Sequence, residues 1–328
     1  MKARVLCLLM SLVPVWAVPL AAQPREVRQG GFKFINPLLE CEDFDPAGNV
    51  FLQNFKYKVQ EFVDRKTALK SVIHISVYFR DMNNGPTFGI NADEGFVPAS
   101  LLKVPLMMAY FKVAEEDPDV LDQKILYKGP QKKYDIEQYV SPGQTLKKGR
   151  SYSVEDLITR MIVYSDNQAA FLVYRKSLLD RLFTDLGMVA PGSRKPRGSI
   201  TVKEYSSFFR ILFNSTYLNR YFSERALSQL SKSEFKEGLL GGVPQDIMVA
   251  HKFGERVDKD EKQLHDCGIV YHPRRPYLLC VMTRGDDFEE LEGVIRGISA
   301  LVYQEVDVQY RDSPPSGPGT PSGNPREP

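Results

Sequence analysis

Ile247-Met248-Val249-Ala250-His251-Lys252-Phe253, then Asp266-Cys267-Gly268-Ile269-Val270-Tyr271, then Tyr277-Leu278-Leu279-Cys280-Val281-Met282-Thr283 decide the fold. These runs are apolar or alternating and are separated by turn-forming residues, so they read as three antiparallel strands. Far upstream, Ser71 to Arg80 carries Val72, Ile73, Ile75, Val77 and Phe79, a fourth strand. The turn Asn83-Asn84-Gly85-Pro86 leads to a fifth at Thr87 to Asn91. Between the two groups the pattern is helical: Leu101 to Val113, Val154 to Tyr164, Gln168 to Leu179, Thr201 to Phe213 and Ser223 to Leu230. An amphipathic helix over Asn54 to Thr67, with Phe55, Val59, Phe62 and Val63 on one face, precedes the first strand. Another, Asp286 to Val302, closes the domain. The expectation is an α/β chain of α+β type. Its five-stranded antiparallel sheet is assembled from both ends and flanked by helices, and an all-helical lobe fills about residues 98–240.

The 328 residues allow one large domain or two coupled lobes. With 43% hydrophobic and 26% charged residues the chain can build a sizeable core. A formal charge of +2 gives no general reason to bind nucleic acid, and no basic face interleaved with aromatics is visible. Four Cys are too few for a disulfide scaffold. Residues 1–22 open with Lys2 and Arg4, run apolar from Val5 to Val13 and end in small residues, the pattern of a secretory signal. The protein is therefore expected to be exported, to the periplasm or beyond, and membrane-anchored through residues 5–22 only if the signal stays uncleaved. Residues 23–45 form a lead segment and 46–310 the catalytic domain. The tail 311–328, rich in Pro, Gly and Ser, cannot bury anything and is expected to be disordered.

Three short motifs fall at the edges of this architecture. Ser100-Leu101-Leu102-Lys103 opens a helix, where positions three apart share a face, so hydroxyl and amine can meet. Serine needs a base to become a nucleophile, and a desolvated lysine can serve. The pattern is weak alone, since Ser233-Glu234-Phe235-Lys236 is a second copy on a polar stretch. Ser165-Asp166-Asn167 lies in a break between helices, where all three residues are also good N-caps. His251-Lys252-Phe253-Gly254 lies on the first C-terminal strand.

Together, in this order, the motifs resemble the active-site set of the serine β-lactamases and penicillin-binding DD-peptidases: Ser-x-x-Lys, Ser-Asp-Asn and Lys-Thr-Gly. The likeness to the class A branch spans most of residues 46–305. It implies a nucleophile at Ser100, a base or proton relay at Lys103, and a proton path to the leaving group through Ser165. Asn167 would hold a substrate amide, and Lys252 would supply positive potential. Phe253, Gly254 and Glu255 would line the substrate, with the backbone N–H groups of Ser100 and Glu255 as the oxyanion hole. No cofactor or metal is implied, and the expected partner is a β-lactam or cell-wall peptide bound by a monomer.

The sequence departs from the family in three places. Phe253 stands where the family has Thr or Ser, which removes a hydroxyl and brings an aromatic ring to the site. Asp266 and Cys267 stand where class A enzymes place an Arg for the substrate carboxylate, and Arg256 is the nearby substitute. Between Leu186 and Thr201, where class A enzymes carry the Glu that activates the deacylating water, the chain has Arg194, Lys195, Pro196 and Arg197 and no Glu. Without that base an acyl-enzyme is expected to turn over slowly. His74, His251, His265 and His272 are too scattered for a metal set. Cys267 and Cys280 sit on neighbouring strands, free or paired. Asn214-Ser215-Thr216 fits a glycosylation pattern that carries no meaning in a bacterial-type exported protein. Slow acyl-enzyme hydrolysis, an esterase on the same fold and a non-catalytic binding module are the three functional readings.

Overall fold

The computed structural model describes residues 32–37, 48–83, 85–131, 138–190, 198–259 and 261–310. The signal, most of the lead segment, the Arg194–Arg197 cluster and the tail lie outside them. In chain order the first half runs α1 (Gly48–Thr67), β1 (Val72–Asp81), β2 (Thr87–Ile90), α2 (Lys103–Ala114), β3 (Lys124–Leu126), β4 (Ser151–Ser153) and α3 (Val154–Val163). It continues with α4 (Asn167–Val173), α5 (Lys176–Asp185), α6 (Val202–Phe213), α7 (Arg220–Leu230), β5 (Val249–Asp258), β6 (Glu261–Val270), β7 (Tyr277–Gly285) and α8 (Phe288–Tyr310). No described helix is long and apolar enough to cross a membrane.

The five main strands form one antiparallel sheet in the order β2-β1-β7-β6-β5, so the two ends of the chain do join and β5 is an edge. Side chains alternate across it. Ala250, Cys267, Ile269, Leu278, Cys280 and Met282 pack toward the helical lobe. Val249, Phe253, Leu264, Val270, Leu279 and Val281 pack toward α1 and α8, where Phe55, Val59, Val63, Leu291, Ile295 and Ile298 meet them. Each buried Val, Leu, Ile, Phe or Met among them contributes about 1.5–3 kcal/mol relative to exposure, and these two layers hold the sheet in place. Cys267 and Cys280 are direct partners in the β6–β7 ladder and are joined by a disulfide.

Local chemistry sets the helix ends. Ser153, Asp166 and Asn219 accept hydrogen bonds from the first-turn amides of α3, α4 and α7, and Thr201 with Glu204 makes a reciprocal capping box on α6. Helix α2 is buried over most of its surface, as its mostly apolar sequence requires, with Lys112 and Val113 half-buried near its end.

Several expectations need correction. The helix expected from Gln168 to Leu179 is two helices, because Tyr174 and Arg175 adopt extended backbone. The Val173 carbonyl freed by this break accepts from Tyr110 Oη at 2.7 Å. The helix expected to start at Leu101 begins as a 3₁₀ turn, Ala99–Leu102, before α2. Strands β5 and β6 run on past Phe253 and begin before Asp266, their polar exposed ends having hidden the alternation. The pair β3–β4 is too short for a period to show. Residues 34 and 35 of the lead segment are buried, their amides held by Glu224 of α7. Asn214 is buried at the end of α6.

Candidate active site

The three motifs meet where the edge strand β5 faces the helical lobe. Ser100 sits on the 3₁₀ turn, preceded by Ala99 at φ 46°, a left-handed conformation that a non-glycine residue adopts at a cost. Leu101 N donates to Pro98 O at 2.9 Å and Leu101 O accepts from Tyr205 Oη at 3.0 Å, which fixes this turn from both sides. The turn presses on β5 at Gly254. A Cβ there would lie 2.9 Å from Leu101 Cγ and 3.0 Å from Pro98 O, so any larger residue pushes the turn and the strand apart.

Lys103, on the first turn of α2, is buried and has three polar partners. Its Nζ donates to Ser165 O at 2.6 Å, Asn167 Oδ1 at 2.8 Å and Ser165 Oγ at 3.1 Å. Burial pushes its ammonium down to about 7, against the opposing pull of Asp166 and Glu255. Lys252 Nζ reaches the same Ser165 Oγ at 2.9 Å and the Phe253 carbonyl at 3.0 Å. It too is held well below the usual lysine range, first by burial and then by the charge of Lys103. Ser165 is fully buried at φ 55° and bridges the two amines. A hydroxyl accepting from both has its own proton left to give.

The Ser-Asp-Asn motif performs both jobs that the sequence allows. Asp166 caps α4 by accepting from Gln168 N at 2.8 Å and Ala169 N at 3.0 Å, while its two neighbours face the lysines. Asn167 binds Lys103 through Oδ1, which leaves its amide donors for another partner.

Backbone direction on β5 follows from one contact. The Phe253 carbonyl accepts from Lys252 Nζ, so it points off the sheet edge. In an antiparallel strand the N–H and C=O of a residue share a direction that alternates along the chain. Glu255, two residues on, therefore turns its N–H outward as well, beside the Gly254–Leu101 contact. Ser100 N lies in the first turn of its 3₁₀ helix, where amides have no intrahelical acceptor.

The Phe253 ring does not line the substrate position expected for it. Strand alternation turns it to the other face, where it is buried and stacks on Phe235 with centroids 4.4 Å apart, and Lys252 Nζ lies 4.0 Å from its centroid. Asp266 is likewise committed elsewhere, accepting from Leu239 N at 2.9 Å and bonding His251 Nδ1 at 2.9 Å. Arg256 is exposed and shares the face of Lys252 and Gly254.

One participant was missed: the Glu255 side chain, of which only the amide was expected to matter. Its carboxylate accepts from Val140 N at 3.1 Å and ties the 138–140 segment to β5. Burial raises its pKa, while Val140, Lys252 and Lys103 oppose the shift. Gln138 Nε2 approaches Ser165 O at 3.5 Å and Tyr139 stacks on Phe288, so this segment runs along the edge of the site. Its position directly after Gly254 was the only signal. Among the described residues no group of His, Cys, Asp and Glu is arranged to hold a metal ion. His251 and His272 face carboxylates, His265 faces the Val97 carbonyl and His74 lies beside the Phe96 ring.

The family model described as "Beta-lactamase enzyme family" matches residues 55–306, from α1 into α8. The chain belongs to this family. Beta-lactamase SME-1 of Serratia marcescens is 31% identical over 256 residues, which is 71% of this chain and 84% of that protein. Among solved structures, a PBP-A mutant in an acyl-enzyme complex with penicillin-G superposes with a TM-score of 0.65 at 21% identity, covering 78% of this chain and 97% of that one. A β-lactamase from Xanthomonas campestris gives 0.66 at 20% identity, covering 77% and 98%. These likenesses establish the α+β β-lactamase fold, and family membership makes the chain a serine hydrolase of the β-lactamase family.

Proposed function

We propose that the protein is an exported serine acyl-enzyme hydrolase that reacts through Ser100 with a β-lactam or a D-Ala-D-Ala peptide and releases the acyl group slowly. The observation that carries this reading is the lysine pair around Ser165. Lys103 bonds Ser165 and Asn167 and lies three residues after Ser100 on the same turn. A pKa of about 7 leaves it half neutral near physiological pH, and we assign it the proton that Ser100 gives up as its oxygen attacks the carbonyl. Lys103 then returns that proton through Ser165 Oγ, its partner at 3.1 Å, to the leaving nitrogen. The C–N bond breaks and the acyl group stays on Ser100. Lys252, bonded to the same Ser165 Oγ at 2.9 Å, holds that hydroxyl in place for the transfer, and the amides of Ser100 and Glu255 would bind the oxyanion. One such donor is worth about 3 kcal/mol of transition-state stabilisation.

Support for the substrate class comes from the relatives: SME-1 is a β-lactamase by name, and PBP-A was captured as a penicillin-G acyl-enzyme. Slow release follows from the stretch Leu186–Thr201, which carries no Glu to activate water. Export rests on residues 1–22. Incubation with a fluorescent penicillin, with nitrocefin turnover run in parallel, tests the reading. A labelled band that persists, with poor nitrocefin hydrolysis, is expected. Fast nitrocefin turnover would remove slow release. Cleavage of short acyl esters without any penicillin labelling would favour an esterase.

A further inference from the structure

A pocket of about 220 Å³ lies between α6 and the helical-lobe face of the sheet at β1 and β7. Three ladder spacings, roughly 14 Å, separate β1 from the catalytic edge β5. Lys203, Ser206, Ser207 and Arg210 line it from α6, at the spacing that puts residues on one helix face. Tyr78 and Arg80 line it from β1. Arg80 is 5% exposed, whereas Lys203 and Arg210 reach in from solvent.

Three cations thus converge on one cavity, and no carboxylate is among the described residues that line it. Among the described residues, neither Lys203 nor Arg210 has an ion-pair partner. The same α6 face offers two rotatable hydroxyls, Ser206 and Ser207, which now donate to Lys203 O at 2.8 and 3.2 Å. Lys203 and Arg210 repel one another along one face of α6, and a bound anion relieves that repulsion. The cations approach from two walls, the sheet and the helix. A planar carboxylate satisfies one such fork, whereas a tetrahedral dianion presents oxygens to both.

We propose that this pocket binds a phosphate group, held between Arg80 on β1 and Lys203 and Arg210 on α6. The phosphate belongs either to a small soluble molecule or to a phospholipid headgroup. None of the acyl-transfer groups takes part, so this site is independent of the reading of Ser100.

Calorimetric titration of the full chain with inorganic phosphate at fixed ionic strength tests it, with Lys203→Ser/Arg210→Ser as the variant. Both side chains are exposed, so the fold should persist. Saturable binding by the wild type is expected to weaken about tenfold or more for each cation removed. Penicillin labelling should stay unchanged. Lys124→Ser/Arg150→Ser, exposed positions with the same loss of charge, should bind as the wild type does. Cosedimentation with phosphatidylglycerol vesicles separates the sources. Capture that needs Lys203 and Arg210 assigns a headgroup, and phosphate binding without capture assigns a soluble ligand. Absence of binding to both phosphate and vesicles, binding that survives the double substitution, or equal weakening by the control pair would overturn the proposal.

Discussion

Gly254→Ala isolates the contact that joins the nucleophile's turn to the edge strand. The added Cβ would sit 2.9 Å from Leu101 Cγ, 3.0 Å from Pro98 O and 3.2 Å from Leu101 N. Two of those atoms are backbone of the turn that carries Ser100, so β5 and the turn must separate by a few tenths of an ångström. Gly254 is not at positive φ, and the substitution therefore acts through space and not through backbone strain. Overpacking of this kind costs about 1–3 kcal/mol. A domain of this size loses about 2–4 °C in melting temperature per kcal/mol. The kinetic effect should be larger than that loss suggests. The same displacement moves the Ser100 and Glu255 amides apart, and loss of one oxyanion donor slows acyl transfer by about 100- to 1000-fold. The assay is the second-order rate constant for labelling by a fluorescent penicillin, measured beside thermal melting. Labelling within twofold of the wild type, in a protein whose melting temperature has dropped, would refute the claim that this contact sets the oxyanion geometry.

Three further outcomes follow. The labelling rate should rise with pH through an apparent pKa of about 7, because the base is neutral Lys103 and burial has lowered its pKa to that value; a flat profile from pH 6 to 8 would exclude Lys103 as the base. Glu255→Gln keeps an acceptor for Val140 N but removes a negative charge that raises the Lys103 pKa, so the same pH profile should move to lower pH; an unmoved midpoint would show that Glu255 acts only as a structural tie. Cys267→Ala/Cys280→Ala should lower stability by about 3 kcal/mol, as expected for a short closed loop, in chemical denaturation under oxidising conditions, and reductant should no longer affect the midpoint; equal midpoints for both proteins would show that the bridge adds nothing.

The sheet and the helical insert were legible in the sequence because each rests on local pattern, whereas the meeting of the three motifs was implied by the family resemblance. The run Val72–Phe79 carries strand alternation, Leu278–Met282 is a short apolar run bounded by turns, and Thr201 announces its helix with Glu204 three residues later. The rest depended on tertiary contacts. The break at Tyr174 is stabilised by Tyr110, 64 positions earlier, and nothing in Gln168–Leu179 itself forecasts it. The Phe253 ring was placed at the substrate because its motif is there, but alternation along β5 sends it into the opposite core beside Phe235. Glu255 was read as backbone alone, since its carboxylate has a role only once residue 140 folds over the strand. The basic pocket was invisible for a similar reason: its cations come from β1 and α6, and only the packed sheet brings Arg80 to Lys203 and Arg210.

The most direct test of the central claim, acylation of Ser100 followed by slow release, is the intact mass of the protein after incubation with benzylpenicillin, followed over hours beside Ser100→Ala. The wild type should gain the mass of one penicillin, on the peptide containing Ser100, and lose it slowly, while Ser100→Ala gains nothing. An adduct that forms equally on Ser100→Ala, or a wild type that never gains mass while destroying no β-lactam, would contradict it.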